Sequence, residues 1–453
     1  MNNVHPVDQR LPLGKTFLYG LQHVLAMYAG AVAVPLILAN ALGLTTEQLV
    51  HLIDADLFTC GIATLIQTLG IYNIGSRLPV LQGVAFAAVT PMVMIGKAGG
   101  LTDIYGAVII SGILVFFISP FFSRLLHFFP PVVTGSVITI IGISLLPVAV
   151  RWAGGGNPTA ENFGDISSLL LALVVLAIII VIYRCFHGFI RNISVLLGLV
   201  IGTVISIALG QTDFSAIGQA GWVSVTTPLM FGMPTWNIPS VIAMFLVMLV
   251  IMTETTGDFI AVGEIVGKPI DKNVLTRGLR ADGLSIFIGG IFNAFPYSAF
   301  AQNIGLIGLT GIKSRFVVAG SGIILIVLGL FPKLAALIAC IPAPVLGGAG
   351  LAMFGMVAAN GIKTLSKVDF DGNYNLLIVG VSLSMGLMPM AVPNIYNHLT
   401  GALQIIFDSG ITIGSLTAII LNAVLNKNVK LEDVPVTKTD DIHSVVSVDV
   451  KEK

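Results

Sequence analysis

The sequence predicts an all-α integral membrane protein whose fourteen transmembrane segments form two inverted repeats of seven spans. The prediction rests on composition, on the spacing of apolar runs and on the distribution of basic residues. Of the 453 residues, 56% are hydrophobic and 10% are charged, and the mean hydropathy is +0.98. Because about a quarter of the residues of a soluble domain are charged, this chain is expected to fold in lipid.

The apolar runs have the length that a membrane crossing needs, which is roughly 20 helical residues. They lie at 16–40, 49–71, 78–96, 104–126, 131–150, 167–185, 192–210, 239–262, 279–294, 296–310, 316–334, 340–361, 374–390 and 402–426. Spans 3 and 10 of this series are interrupted by Pro79, Pro91 and Pro296. We therefore expect broken helices with short strands in these two spans.

The basic residues divide unevenly when the chain is threaded through these spans with its N-terminus inside. Nineteen of the 22 Lys and Arg residues fall in inner segments, and only Lys97, Arg151 and Lys333 fall in outer ones. Short cytoplasmic loops are enriched in Lys and Arg, so both termini are predicted to be cytoplasmic. The N-terminal segment lacks the pattern of a removable signal, and the polar tail 427–453 is predicted to be disordered.

Two segments carry the trace of an internal duplication. "PVVTGSVITIIG" at 131–142 and "PVLGGAGLAMFG" at 344–355 share Pro-Val and two glycines, 213 residues apart. They lie seven spans apart, in spans 5 and 12, so the copies have opposite orientations. The same interval pairs the broken spans 3 and 10, which carry Gln82 and Gln302 in mid-segment. Such a pair indicates a substrate site near the membrane midplane.

Polar residues within the spans mark the candidate site. The adjacent Gln302 and Asn303 are expected to present amide groups to a polar cavity. Glu254 and Asp258 are four residues apart in span 8 and share a helical face, and Asp282 opens span 9. An intramembrane carboxyl is a functional hypothesis by default, and burial makes it a natural proton carrier. The alternative for Glu254 and Asp258 is that they only accept hydrogen bonds from neighbouring Thr or backbone groups.

Three further intramembrane residues leave two interpretations open. Asp54 and Asp56 belong either to a packing network or to the function, and no broken helix is predicted beside them. His23 is either a core histidine with satisfied hydrogen bonds or a cavity ligand.

Several classes of function are excluded. The net charge of zero offers no electrostatic basis for a nucleic-acid partner. The sequence has no metal-ligand cluster, nucleophile–base pair or phosphate-binding loop, so neither an enzyme, a metal nor a cofactor is expected. Cys60, Cys185 and Cys340 lie in apolar runs and are expected to be packing residues.

Several stretches resemble one known family. "QNIGLIGLTG" at 302–311 is similar to the signature of the nucleobase–ascorbate transporters, in which Gln/Glu-Asn-any-Gly and four variable residues precede a Thr; Gly305 and Thr310 occupy fixed positions. "GLQHVLAMYAGAVAVPL", "FFPPVVTGSVITIIG", "ETTGD", "GGIFNAFPYSAFAQN" and "PAPVLGGAGLAMFGMV" resemble segments of bacterial xanthine and urate permeases. The similarity covers nearly all of residues 12–426.

The resemblance implies a purine site. Glu254 would hold the ring N–H groups and Gln302 the ring edge, while Phe86 and Phe300 would supply aromatic and backbone contacts beside the flat ring. Ala85 stands where several relatives have a polar residue, so the contacts of span 3 are expected to rest on backbone. The choice between xanthine and urate stays open.

The resemblance also implies supporting roles. Asn303 would shape the site together with Gly305 and Thr310 of the signature. His23 and Gln82 would contribute to the same shaping. Asp282 would belong to proton coupling, together with Asp258 and Glu254. Asp258 and His23 match positions tied to affinity or to the polar network.

The architecture implied by the resemblance has a core and a gate. The core would comprise spans 1–4 and 8–11 (16–126 and 239–334) and would move like an elevator against the gate of spans 5–7 and 12–14 (127–238 and 335–426). The cytoplasmic tails would be 1–15 and 427–453. Relatives are often dimers through the gate.

The expected function is proton-coupled uptake of xanthine and/or urate across a bacterial cytoplasmic membrane, with the purine, H⁺ and the lipid bilayer as partners. The alternative is a sulfate-type anion transporter or channel of the same architecture. Against it, the broken spans have carboxylates nearby and no intramembrane Lys or Arg.

Overall fold

The computed structural model describes residues 4–125, 128–212, 214–371, 373–399 and 401–426, so the predicted tail 427–453 lies outside the described residues. Two short strands, β1 (Gln82–Val84) and β2 (Tyr297–Ala299), interrupt a helical chain. The helices are α1 (Leu13–Leu42), α2 (Thr46–Leu69), α3 (Val89–Leu125), α4 (Pro131–Ala153), α5 (Ile166–Cys185), α6 (Phe189–Asn192), α7 (Ser194–Ala208), α8 (Ser215–Gln219), α9 (Ile238–Val266), α10 (Lys272–Ile291), α11 (Ala301–Thr310), α12 (Arg315–Leu328), α13 (Pro332–Ala339), α14 (Ala343–Leu365), α15 (Asn375–Ala391), α16 (Gly401–Asp408) and α17 (Gly410–Leu425).

The chain is a mostly helical protein with many membrane spans. Within the described ranges, seven helices are long and apolar enough to cross a membrane, or eight if α12 and α13 form one bent span. The helices α7, α15 and α17 are apolar but shorter. Every predicted apolar run overlaps a helix, while the count of fourteen crossings stays a prediction.

Two boundaries differ from the predicted runs. Helix α3 joins the end of predicted span 3 to nearly all of span 4 and breaks at Gly100, whose φ of 82° and ψ of −175° are accessible to glycine. Helices α12 and α13 meet at a bend of 82°. The domain boundary predicted between 334 and 335 therefore falls inside α13.

Asp282 lies in the middle of α10, which starts before the predicted span at 279–294. The helix begins at Lys272 instead of residue 279 because Asp271 caps it, accepting a hydrogen bond from the Val274 N–H at 2.7 Å. The first turns are polar, so hydropathy alone places the helix start too late.

The expected broken helices are present, and they join each other. Strands β1 and β2 are antiparallel, with Gln82 opposite Ala299 and Val84 opposite Tyr297. The two strands form a ribbon, which the Ala85 N–H extends by donating to the Pro296 carbonyl at 2.9 Å. Each unwound stretch thus satisfies the backbone of the other, as a membrane interior requires.

The helices pack in two sets. Helix α4 lies along α14, with α5, α7, α15 and α17 around this pair, whereas α2 packs along α12 and α3 along α10. Facing glycines permit the last two crossings. A Cβ at Gly322 would lie 2.9 Å from the Gly61 carbonyl oxygen, and one at Gly112 would lie 2.9 Å from the Gly283 carbonyl oxygen. Helices α1, α9 and α11 complete the set that surrounds the ribbon.

Candidate functional site

Helix α2 anchors strand β1 at the centre of the molecule. The Gln82 N–H donates to Thr64 Oγ1 at 3.1 Å, and the Cys60 thiol donates to the Gln82 carbonyl at 2.8 Å. All three residues are fully buried. Cys60 therefore fixes the strand position in addition to packing.

Each strand leads directly into a helix that starts at the ribbon. A short 3₁₀ turn at Phe86–Ala88 continues into α3, and α11 begins at Ala301. The first turn of a helix has unpaired N–H groups and a partial positive charge. Both helix starts therefore present backbone donors beside the ribbon, which suits a ligand rich in carbonyl oxygens.

The neighbouring amides Gln302 and Asn303 face different ways, because consecutive helical residues are about 100° apart. Asn303 is 1% exposed. Its Nδ2 lies 3.0 Å from His23 Nδ1 and donates to the His23 carbonyl at 3.0 Å. Gln302 and Gly305 are exposed on the other side of α11. The expectation that both amides face one cavity is thus corrected: Gln302 is accessible, and Asn303 joins α11 to α1.

Two carboxyls of α9 lie half-buried one turn apart, at Glu254 and Asp258. Between them, Thr255 Oγ1 accepts a hydrogen bond from the Ala299 N–H at 3.3 Å, which ties α9 to β2. Asp258 is close enough to interact electrostatically with both Glu254 and Asp282. The three carboxyls therefore form one group beside the ribbon.

Asp282 is 1% exposed and is held by Gln67 of α2. Gln67 Nε2 donates to Asp282 Oδ1 at 2.9 Å, and Gln67 Oε1 accepts from the Ser76 N–H at 2.8 Å. Thr255 and Gln82 also lie beside this carboxyl. Within the described residues, however, Asp282 Oδ2 and both amide atoms of Gln82 have no hydrogen-bond partner. Buried polar atoms without partners indicate a place for a proton, a water molecule or a ligand group.

The two aromatic candidates differ in exposure. Phe300 is 5% exposed, and its ring fills a notch formed by two glycines. A Cβ at Gly30 would lie 2.8 Å from Phe300 Cζ, and one at Gly83 would lie 2.9 Å from its Cε2. Phe86 is half-buried, with its ring centroid 6.1 Å from that of Phe354 on α14. Phe86 is thus accessible where the two helix sets meet.

The backbone of Ala85 is mostly used within the protein. Its N–H donates to the Pro296 carbonyl, and its carbonyl accepts from the Ala88 N–H at 3.1 Å. A ligand could therefore reach only the second lone pair of the Ala85 carbonyl. Thr310 closes α11, since its hydroxyl donates to the Leu306 carbonyl at 2.8 Å and accepts from the Ile312 N–H at 3.3 Å.

The predicted residues form a cluster of neighbouring carboxyls, one hydrogen-bonded pair and one open surface. Asp282, Asp258 and Glu254 form the cluster, and His23 with Asn303 forms the pair. Gln302 and Glu254 lie on the packed helices α11 and α9, and no hydrogen bond joins them in the described part of the chain. No group of three His, Cys, Asp or Glu residues among those that the structure describes could hold a metal ion.

Comparison with known proteins decides the family. A model described as a permease family matches residues 14–395. The chain is 49% identical over 413 residues to "Xanthine permease" of Bacillus subtilis (strain 168), covering 91% of this chain and 94% of the relative. The chain belongs to the xanthine and uric acid permease family. "Uric acid permease PucK" of the same strain is 49% identical over 406 residues, which cover 90% of this permease and 94% of PucK.

A solved structure shares the fold. The transmembrane domain of the cyanobacterial bicarbonate transporter BicA superposes with a TM-score of 0.57 at 17% identity, covering 91% of this permease and 98% of that chain. At this identity the likeness concerns the fold alone. The family match makes the protein a membrane transporter rather than an enzyme, and all the candidate site residues fall within the matched range.

A buried network under β2 was not predicted. The Tyr297 hydroxyl donates to Asp56 Oδ1 at 3.0 Å and pairs with the Thr59 hydroxyl. All three residues are at most 1% exposed. The expectation that no broken helix lies near Asp56 was wrong, because α2 runs beside the ribbon. By contrast, Asp54 Oδ1 has no partner within the described residues.

The role of Gln67 was also missed, although a signal for it was available. A glutamine in the middle of the apolar span 2 needs buried partners, as does any polar group in the membrane. Its partners come from a turn nine residues away and from α10, so only the folded structure reveals them.

Proposed function

We propose that this permease takes up xanthine and/or uric acid by symport with protons. The proposal rests on one observation: the exposed Gln302 and the half-buried Glu254 lie on packed helices beside a ribbon that joins two broken spans. Two of the curated relatives are named for xanthine and uric acid transport.

The chemistry of the site suits a purinedione. Such a ring offers N–H donors and carbonyl acceptors around a flat edge. The Glu254 carboxylate accepts from ring N–H groups, and the Gln302 amide both donates and accepts, with the charge-assisted bonds the stronger ones. Phe86 covers one face of the ring. Phe300 and Ala85 contribute through backbone, because the Phe300 ring is buried and Ala85 has no polar side chain.

The site would discriminate among purines by leaving its own hydrogen-bond donors unpaired when a purine lacks an oxo group. A site donor left without its oxo partner costs about 1–3 kcal/mol. Purines that lack the 2-oxo group, such as hypoxanthine, are therefore expected to bind more weakly than xanthine.

The coupled protons bind to the cluster of three carboxyls formed by Glu254, Asp258 and Asp282. If protonation at these carboxyls favours the loaded and mobile state, linkage makes the proton gradient drive uptake. Gln67 keeps one oxygen of Asp282 paired, while the other stays without a partner in the described residues. This free oxygen is the natural proton acceptor of the group.

The movement would be that of a core against a gate. We assign the set around the ribbon to the core and the set around α4 and α14 to the gate, with the boundary placed after Ala339, since α13 packs against α2. An elevator-like rigid-body shift carries the site along. The contact of Phe86 with Phe354 lies between the two sets and would change as the core moves.

The paired crossings support the inverted repeats. Counting spans as predicted, α2–α12 joins spans 2 and 11, and α3–α10 joins spans 4 and 9. In a repeat of seven spans, span 2 corresponds to span 9 and span 11 to span 4, so the first pair corresponds to the second. Each pair has facing glycines, Gly61 with Gly322 and Gly112 with Gly283, as a two-fold relation between halves requires.

Orientation, location and assembly complete the proposal. The uneven distribution of Lys and Arg supports cytoplasmic termini in a bacterial plasma membrane. A homodimer through the gate is proposed from the resemblance, and native mass spectrometry of the purified protein measures it.

Uptake in permease-deficient cells tests the proposal. Labelled xanthine uptake should be saturable, should be inhibited by urate but not by uracil or sulfate, and should collapse with an uncoupler. Glu254→Gln and Gln302→Ala should abolish it at normal membrane expression. The matched controls Glu161→Gln and Gln211→Ala, both in exposed loops, should transport normally.

Two results would overturn the proposal. Normal xanthine uptake by Glu254→Gln and Gln302→Ala would remove both residues from the site. Sulfate uptake without purine uptake would favour the anion-transporter alternative.

A further inference from the structure

A groove lies outside the proposed transport site, on the set of helices around α4 and α14. It has a volume of about 760 Å³ and lies between α5, α6 and α14. One wall is formed by α5 and the other by α14. The residues that line it are Leu176, Ile179, Ile180, Tyr183, Arg184, His187, Arg191, Ala352, Gly355, Met356 and Ala359.

The groove is apolar along most of its length. Leu176, Ile179 and Ile180 line it on α5, while Ala352, Gly355 and Ala359 form a wall of small residues on α14. A Cβ at Gly355 would meet no atom within 4 Å. From residue 176 to residue 184 the wall rises about 12 Å along the helix axis, close to the roughly 15 Å of hydrocarbon in one bilayer leaflet. The space therefore suits an acyl chain.

One end of the groove is basic. Arg184, His187 and Arg191 lie there, and the Arg191 guanidinium is 4.0 Å from the centroid of the Tyr183 ring. The sequence has no Asp or Glu from residue 166 to residue 212 or within α14. In the described part of the chain, the ion pair present joins Arg315 to Asp8, away from this groove. The two guanidinium groups thus carry positive charge with no acidic side chain on either wall.

We propose that this groove binds an anionic phospholipid, with its phosphate held by Arg184 and Arg191 and an acyl chain along α5 and α14. The planar guanidinium group matches phosphate oxygens in a bidentate geometry. Arg side chains next to the hydrocarbon region attract anionic headgroups. A zwitterionic lipid fills the apolar part equally well but lacks the net negative charge that the basic end requires.

Native mass spectrometry of the purified full-length protein tests this site. Dioleoyl phosphatidylglycerol and dioleoyl phosphatidylcholine are titrated separately, with glycerol phosphate as the soluble headgroup. We expect phosphatidylglycerol to bind more tightly than phosphatidylcholine and glycerol phosphate to bind much more weakly. Arg184→Gln with Arg191→Gln should weaken phosphatidylglycerol binding about thirtyfold, the effect of two charges near a membrane surface.

Two further variants distinguish the contribution of the lipid headgroup from that of the acyl chain in the groove. Lys97→Gln with Lys272→Gln removes the same charge from exposed positions on α3 and α10, outside the groove, and should leave binding unchanged. Gly355→Leu fills the acyl groove without a change of charge and should also weaken phosphatidylglycerol binding. Equal binding of the two lipids would overturn the proposal. So would equal losses in the two charge variants, or a shift from dimer to monomer in the arginine variant with lipid binding unchanged.

Discussion

The broken span that contains β1 differs from the one that contains β2 in which side chains stay accessible. In the first, Gln82 is fully buried, held through its backbone by α2, and its amide lies beside Asp282. In the second, α11 exposes Gln302 and Gly305, while Asn303 turns into the core. The two glutamines that look equivalent in sequence are therefore not equivalent: one lies in a strand and the other in the first turn of a helix.

This difference distinguishes the residues that hold the ribbon in place from those that would contact the purine. Pairing of β1 with β2 requires both broken spans, so each supplies one strand of the frame. In the proposed site, the polar side chains that would contact the purine lie on α9 and α11, while the β1 segment would mainly supply rigid support. Substitutions in the β1 segment should therefore act on stability, whereas those on α11 should act on transport.

The largest contrast is expected between Gln67→Leu and Gln302→Leu. Gln67→Leu leaves the Ser76 N–H without a partner and removes the hydrogen bond that Asp282 Oδ1 accepts, so it should destabilise the fold by about 2–5 kcal/mol. Gln302 is exposed and should change stability by less than about 0.5 kcal/mol while xanthine uptake is lost. Thermal unfolding in detergent and uptake in cells measure the two effects. Equal stability losses would remove the distinction.

A smaller contrast is expected between two glycines. Gly83→Ala pushes a methyl group into the buried Phe300 ring and should destabilise the protein by about 1–3 kcal/mol. Gly305→Ala meets no atom within 4 Å and lies inside α11, so it should leave stability unchanged or raise it by roughly 0.5–1 kcal/mol. The same unfolding assay compares them. A Gly83→Ala protein as stable as wild type would show that the notch around Phe300 adapts.

The smallest contrast tests the network beneath β2. Tyr297→Phe removes the hydroxyl that pairs with Asp56 and Thr59, with an expected loss of about 1–2 kcal/mol. Tyr72→Phe is the matched control, since Tyr72 is 90% exposed and should show no change. Melting curves of both variants decide the point. Identical curves would mean that the network contributes nothing to the position of the strand.

Much of the frame could be predicted from the sequence, because hydropathy reports burial in lipid directly. The breaks at Pro79 and Pro296 could also be predicted, because proline has no N–H to donate to the backbone of a helix. The start of α10 was placed too late because its first turns are helical yet polar.

The remaining errors concern contacts between distant segments. The pairing of Asp56 with Tyr297 spans 241 residues, and no local pattern encodes it. The different directions of Gln302 and Asn303 depend on where α11 starts, one residue after Phe300. A shift of that start would rotate both amides.

The most direct test of the site is protection of a cysteine at Gly305. In protein with Cys185 and Cys340 replaced by Ser, Gly305→Cys should react with a soluble maleimide, and xanthine should slow the reaction. Thr159→Cys, in an exposed loop, should react at the same rate with or without xanthine. If Gly305→Cys still transports xanthine but gains no protection from it, the open side of α11 is not where the purine binds.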